Sequence, residues 1–185
     1  MATDLSKRKH PVHLPNLHRH NEPVIIFLTV CAKNRRPLLA NASMHALLVK
    51  AWSLSSQWIV GRYIVMPDHV HLFCSPADPE AENVNDWAAY WKSLISRAVR
   101  GCGPLAVDGV AAVPPVIREG AVPPAPQSAV PDDSLWQRDG WDTQLRSGTL
   151  YHEKWEYVRM NPVRKLLADD PVQWPFQGEL NELLW

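Results

Sequence analysis

Three cysteines (Cys31, Cys74 and Cys102) among 185 residues are too few and too scattered for a disulfide framework, and no Cys-x-x-Cys pair suggests a structural zinc site. A reducing, cytoplasmic compartment is the expectation. No run approaches the ~18 apolar residues that a membrane span requires, and residues 1–20 lack the apolar core of a secretory signal, so neither membrane insertion nor secretion is expected. Net charge is absent too. Nineteen Lys+Arg balance nineteen Asp+Glu, which excludes a uniformly polybasic nucleic-acid coat. There is no Gly-rich phosphate loop, and no clustered Asp-Asp-Glu set of the kind that supports two-metal chemistry on duplexes.

What the sequence does contain is apolar material, 46% of residues, enough to bury one core without staples. Residues 1–185 are therefore expected to fold as a single domain. The neutral total hides segregation. Residues 1–36 hold Lys7, Arg8, Lys9, Arg19, Lys33, Arg35 and Arg36 against only Asp4 and Glu22, leaving the rest net acidic. The other excesses are seventeen prolines and nine tryptophans. Seven of the prolines fall at about 101–134, a stretch without Trp, Tyr or Phe. Lacking large side chains to bury, it cannot offset its ordering entropy, and a mobile insert is expected there.

Elsewhere strands and helices alternate. Val24 to Cys31 is a short β-rich apolar run, closed by Arg35-Arg36-Pro37. Asn41 can cap a helix in which Met44, Leu47, Leu48, Ala51 and Leu54 recur at helical spacing. Trp58 to Met66 and His69 to Ser75, parted by Pro67-Asp68, read as a hairpin. Val84 to Arg100 predicts a second helix with Trp87, Tyr90, Trp91, Leu94 and Ala98 as its apolar stripe. Leu135 to Trp141 reads as a further strand or extended segment. Thr149 then caps a third helix reaching about Asn161, where Pro162 disfavours continuation. The order β-α-β-β-α-β predicts an α+β, ferredoxin-like antiparallel sheet with helices on one face, followed by a C-terminal helix.

The residues that can carry chemistry lie in two places. Within MPDHVHLF, side chains alternate along the strand, so His69 and His71 leave one face about 7 Å apart. Two imidazoles so placed can share a metal ion; a bare H-x-H is also compatible with partly buried, hydrogen-bonded histidines. The zinc hydrolase signature H-x-H-x-D-H fails, because Phe73 and Cys74 stand where Asp and His are needed. The amidohydrolases that use H-x-H need a barrel of roughly 250 residues. In LYHEKWEYVRMNPVR, Tyr157 and Asn161 are four apart and share a helix face with Glu153, beside an apolar face of Tyr151, Trp155 and Val158. On the second helix, Lys92, Ser96 and Arg100 lie along one face.

MPDHVHLF and the downstream EYVRMNPVRKLL and DDPVQWPF, in that order, resemble the HUH single-strand DNA transposases, specifically the REP-associated tyrosine transposases. The resemblance also takes in LPN, CAKNRRPLL, WKSLISR and LWQRDGWDTQLRSG, leaving out only the Pro-rich insert. It departs at Asp68, where the family more often has Asn, and at Lys165-Leu166, where it has a small residue followed by Gly. The resemblance implies an enzyme of DNA transposition and recombination, in which Tyr157 attacks a phosphodiester of single-stranded DNA to give a 5′-phosphotyrosine. It implies Mg²⁺ or Mn²⁺ on His69, His71 and Asn161, and a hairpin substrate of the repetitive palindromic kind. Phosphate contacts would come from Arg35, Arg36, Lys92 and Arg100, while Trp136 and Trp141 are candidates to stack on unpaired bases. Either a monomer or a homodimer with exchanged tyrosine helices fits. The alternative is a domesticated hairpin-binding protein with little or no catalysis.

Overall fold

The computed structural model describes residues 23–105 and 134–185; the expected insert and the basic residues before Lys33 lie almost entirely outside them. Strand β1 (Ile25–Cys31) is followed by a 3-10 turn (Lys33–Arg35), helix α1 (Ala42–Ser53), strands β2 (Trp58–Val65) and β3 (His69–Pro76), and helix α2 (Val84–Val99). Beyond the insert come β4 (Trp141–Leu145), α3 (Gly148–Arg159), the single turn α4 (Asn161–Arg164), a 3-10 turn (Pro171–Gln173) and the short β5 (Gln177–Glu179). The five strands form one antiparallel sheet in the order β4-β1-β3-β2-β5. Among the described residues no helix is long and apolar enough to cross a membrane.

Alternation divides the sheet into two working faces. Ile26, Leu28 and Val30 of β1 and Val70, Leu72 and Cys74 of β3 join α1 and α2 in the main core. Most of the tryptophans are used here: Trp52, Trp58, Trp87, Trp91 and Trp136 are all buried. Trp91 meets Trp52 and Trp136 edge-on at 5.9 and 5.5 Å between ring centroids, the offset geometry that aromatic quadrupoles favour. Two residues assigned to the apolar stripes fall outside them: Leu54 is the exposed C-cap of α1, and Tyr90 is exposed on α2. On the other face, Ile25, Phe73, Leu145 and Tyr151 form a second cluster, and Ile64, Met66, Val158 and Trp174 a third. Helix α3 covers this face.

The helix starts follow their caps, with one correction. Asn41 accepts the Met44 amide hydrogen, as its position suggested. For α3 the cap is Ser147, whose hydroxyl accepts from Leu150 N, so Thr149 is already helical. Of the two expectations for Leu135–Trp141, strand or extended segment, the second describes it. Trp136 makes only an isolated bridge to Ala32, and regular pairing begins at Trp141. Buried Trp136 donates its indole N–H to the Lys92 carbonyl, and the backbone bonds Lys33 N–H to Leu135 O and Gln137 N–H to Cys31 O hold the segment on either side. Pro162 does not end the helical path; α3 stops at Met160 and Pro162 lies in the first turn of α4, where its missing N–H costs nothing.

After α4 the chain turns through Leu166 at φ 56°, the left-handed region that glycine occupies freely and a side chain does not. Leu166 is 93% exposed, so its side chain contributes no packing there. Leu166→Gly is expected to stabilise the fold by about 0.5–1 kcal/mol, the relief of strain outweighing the added unfolded-state entropy. A lower midpoint in urea for the variant would contradict this.

Candidate active site

The sheet register sets the histidine pair. Pairing of β1 with β3 places Cys31 opposite His69 and Thr29 opposite His71, and directly opposed residues share a face. The ring nitrogens His69 Nε2 and His71 Nε2 converge to 3.1 Å. Each ring is held from behind. His69 Nδ1 lies 2.6 Å from Asp68 Oδ1, which fixes it as the N–H donor and makes Nε2 an acceptor, engaged here by His71 Nε2. His71 Nδ1 lies 2.8 Å from Thr29 Oγ1, a hydroxyl that can donate or accept and so serves either tautomer. Phe27 stacks against His71 at 5.2 Å.

This pattern of convergent Nε2 atoms and separately anchored Nδ1 atoms is how histidine ligands are oriented for a metal. The spacing can be tested. Nitrogens 3.1 Å apart subtend about 95° at an ion ~2.1 Å from each, close to the cis angle of octahedral coordination. Among the described residues no group of three or more His, Cys, Asp or Glu side chains could complete such a site, so a third protein ligand has to be an amide, hydroxyl or carbonyl. The histidine pair fits a divalent ion as two neutral ligands. Thr29→Val keeps the β-branched shape but removes the anchor of His71; Mn²⁺ affinity, measured by calorimetry, is expected to fall about 10- to 100-fold.

Both rings are kept neutral. Burial lowers the His71 pKa to about 3, assisted by His69, Arg35 and Lys154. Burial also lowers His69, against the opposing pull of Asp68. The Asp68 carboxyl ends below its usual value: burial would raise it, but the His69 hydrogen bond and Arg35 outweigh that. A histidine with a depressed folded pKa binds fewer protons folded than unfolded, so its contribution to stability is complete above about pH 6.5 and declines as the pH falls toward 3. In EDTA, thermal stability is therefore expected to drop between pH 6.5 and 4, with a slope approaching ~1.4 kcal/mol per pH unit for each proton taken up. A melting temperature that rose on acidification would contradict it.

Helix α3, packed on this face through Tyr151 and Val158, carries Tyr157 beside it. Lys154 Nζ sits 5.2 Å from the Phe27 ring centroid and 6.0 Å from that of Tyr157, linking the tyrosine side of α3 to the ring stacked on His71. Tyr157 is 61% exposed, whereas Tyr151 and Val158 are buried, as the helical spacing indicated. Arg164 lies 4.2 Å over the Tyr157 ring and donates both to the Tyr157 carbonyl and to Asn161 Oδ1. Asn161, the first residue of α4, thus has one lone pair of its amide oxygen engaged and one left.

Arg35 joins the site through its 3.1 Å ion pair with Asp68. It does so from a left-handed backbone (φ 54°), next to Asn34 at φ 56°; two such residues in succession mark a turn held by its surroundings. Arg36 donates to the Ser134 carbonyl. Lys92 and Arg100 are not brought to the histidines: α2 packs on the opposite sheet face, and Lys92 Nζ donates to the carbonyls of Gln137 and Arg138. Local sequence pattern does not single out Thr29, Lys154, Arg164 or Lys165, the last a cation that adds to burial in lowering the His69 pKa. Thr29 carried one signal, being the only polar side chain in an apolar strand. A cleft of about 500 Å³ lined by Arg62, Trp155, Arg159 and Glu179 contains none of the site residues.

No family model matches the chain. Over 153 residues, 81% of this chain and 73% of the relative, it is 21% identical to the REP-associated tyrosine transposase of Escherichia coli (strain K12). A solved structure of a REP-associated tyrosine transposase bound to a REP hairpin superposes with a TM-score of 0.58 over 89% of this chain and 82% of that one, at 16% identity, a likeness of fold. The five-stranded antiparallel sheet with its helices is shared with that structure. By sequence and by fold, the chain is a distant relative of the REP-associated tyrosine transposases.

Proposed function

We propose that this protein is a transposase-type endonuclease and strand transferase for single-stranded DNA, cutting beside a hairpin through a tyrosine-linked intermediate. The observation that carries the reading is the convergence of His69 Nε2 and His71 Nε2 beneath a helix that exposes Tyr157. The Tyr157 oxygen attacks phosphorus; the bond to the 3′ oxygen breaks, giving a 5′-phosphotyrosine and a 3′ hydroxyl that takes up the proton the tyrosine gives to solvent. Bond energy is kept in the ester, so a 3′ hydroxyl can reverse the step and join strands without a nucleotide cofactor. Mg²⁺ or Mn²⁺ on His69, His71 and Asn161 would supply polarisation of a non-bridging phosphate oxygen. Arg164 fixes the turn that carries Tyr157 and Asn161, so nucleophile and ligand move as one body. Arg35 and Arg36 contact phosphates near the histidines, and Lys92, with one N–H left, and Arg100 contact them across α2. The relative bound to a REP hairpin supports hairpin DNA as the partner. The strand order, with β3 between β1 and β2 and β4 beyond β1, supports the ferredoxin-like assignment, with β5 appended.

The test uses labelled single-stranded hairpins from the DNA flanking the coding region, with Mn²⁺ and with EDTA. Metal-dependent cleavage with a covalent protein–DNA band is expected. One observation favours a second reading, a hairpin-binding protein without catalysis: Asn161 Oδ1 is engaged by Arg164. Tight binding with no cleavage of any flank in Mn²⁺ would establish that reading instead.

A further inference from the structure

One exposed aromatic lies in the same cross-sheet row as His71. His71 is opposed by Thr29, and Thr29 is opposed on its other side by Trp141 at the start of β4. Direct opposition in antiparallel strands puts all three side chains on one face. Two inter-strand steps, roughly 10 Å, separate His71 from Trp141. Gly140 precedes this seat: a Cβ there would stand 3.3 Å from the Thr29 carbonyl oxygen and 3.5 Å from Leu28 Cδ1, a tight fit that would need a shift of a few tenths of an ångström as pairing begins.

The two tryptophans of this segment have opposite fates. Trp136 is 4% exposed, with its N–H committed to Lys92. Trp141 is 55% exposed, and among the described residues its indole has no hydrogen-bond or ring partner. A bare indole face on an edge strand, beside a site with Arg35, Lys154 and Lys165 around it, suits a polymer whose phosphates meet the cations while its bases need a flat apolar surface. We propose that Trp141 is a stacking platform for an unpaired base flanking the phosphate held at the histidines. This rests on the single-strand DNA reading and adds to it the residue that grips the strand.

The test uses the full chain, metal-free, with oligothymidylate carrying one 2-aminopurine, placed at each position in turn. Wild-type protein is expected to quench the probe by stacking. Trp141→Ala is expected to bind about 5- to 100-fold more weakly and without quenching, and Trp141→Phe to restore most of both. An unchanged melting temperature in Trp141→Ala separates lost stacking from lost fold. Equal binding by wild type and Trp141→Ala, or weaker binding with quenching intact, would overturn the platform while leaving the DNA reading in place. Failure of the wild type to bind this probe or any flanking hairpin would remove that reading, and the platform with it.

Discussion

Tyr157→Phe is expected to leave the protein folded and able to bind DNA, while lowering strand cleavage by at least about a thousandfold and removing the covalent product. Only one oxygen is deleted. The side chain is 61% exposed, and its described neighbours, Arg164 and Lys154, meet the ring rather than the hydroxyl. The stability change should therefore stay within about 0.5 kcal/mol. The result is checked by initial cleavage rates on a labelled hairpin, by hairpin affinity and by thermal melting. Cleavage at the wild-type rate in the variant would show that another group is the nucleophile and that the exposure of Tyr157 is incidental.

His71→Ala is expected to abolish the stabilisation that a divalent ion gives. An ion that binds only the folded state at a hundredfold excess over its dissociation constant adds about 2.7 kcal/mol, a rise of roughly 5–10 °C for a domain of this size. Removing His71 leaves His69 as the one imidazole at the site, and the response to Mn²⁺ should vanish. The substitution also deletes the stacking with Phe27 and the bond to Thr29, so the melting temperature without metal will drop as well. The diagnostic quantity is the difference with and without Mn²⁺ for each protein. An equal Mn²⁺ shift in wild type and variant would place the ion elsewhere.

The histidine pair was legible because strand alternation is strict: residues two apart share a face whatever the rest of the chain does. Tyr157 beside an apolar stripe of Tyr151 and Val158 followed equally from helical periodicity. What the sequence could not show is pairing at a distance. Thr29 reaches His71, and Trp141 reaches their row, only through the register of β1 with β3 and with β4, and local pattern does not encode register. Whether Leu135–Trp141 is strand or extended segment stays open in the sequence for a related reason. Trp136 and Trp141 look alike in sequence, but Trp136 is taken by the core against Trp91, whereas Trp141 stays exposed where β4 begins. Lys92 presented as a free cation on a helix face; its carbonyl partners, Gln137 and Arg138, lie beyond the insert, where no helical wheel reaches.

The most direct measurement is the identity of the residue that becomes joined to DNA. Protein incubated with a flanking hairpin and Mn²⁺ would be digested with nuclease and protease, and the nucleotide-bearing peptide sequenced by mass spectrometry. A 5′-phosphotyrosine on Tyr157, absent when EDTA replaces Mn²⁺, is the predicted result. An adduct on Tyr63, Tyr90 or Tyr151, or cleavage with no adduct on any residue, would contradict the assignment of the His69–His71 face and α3 as one active site.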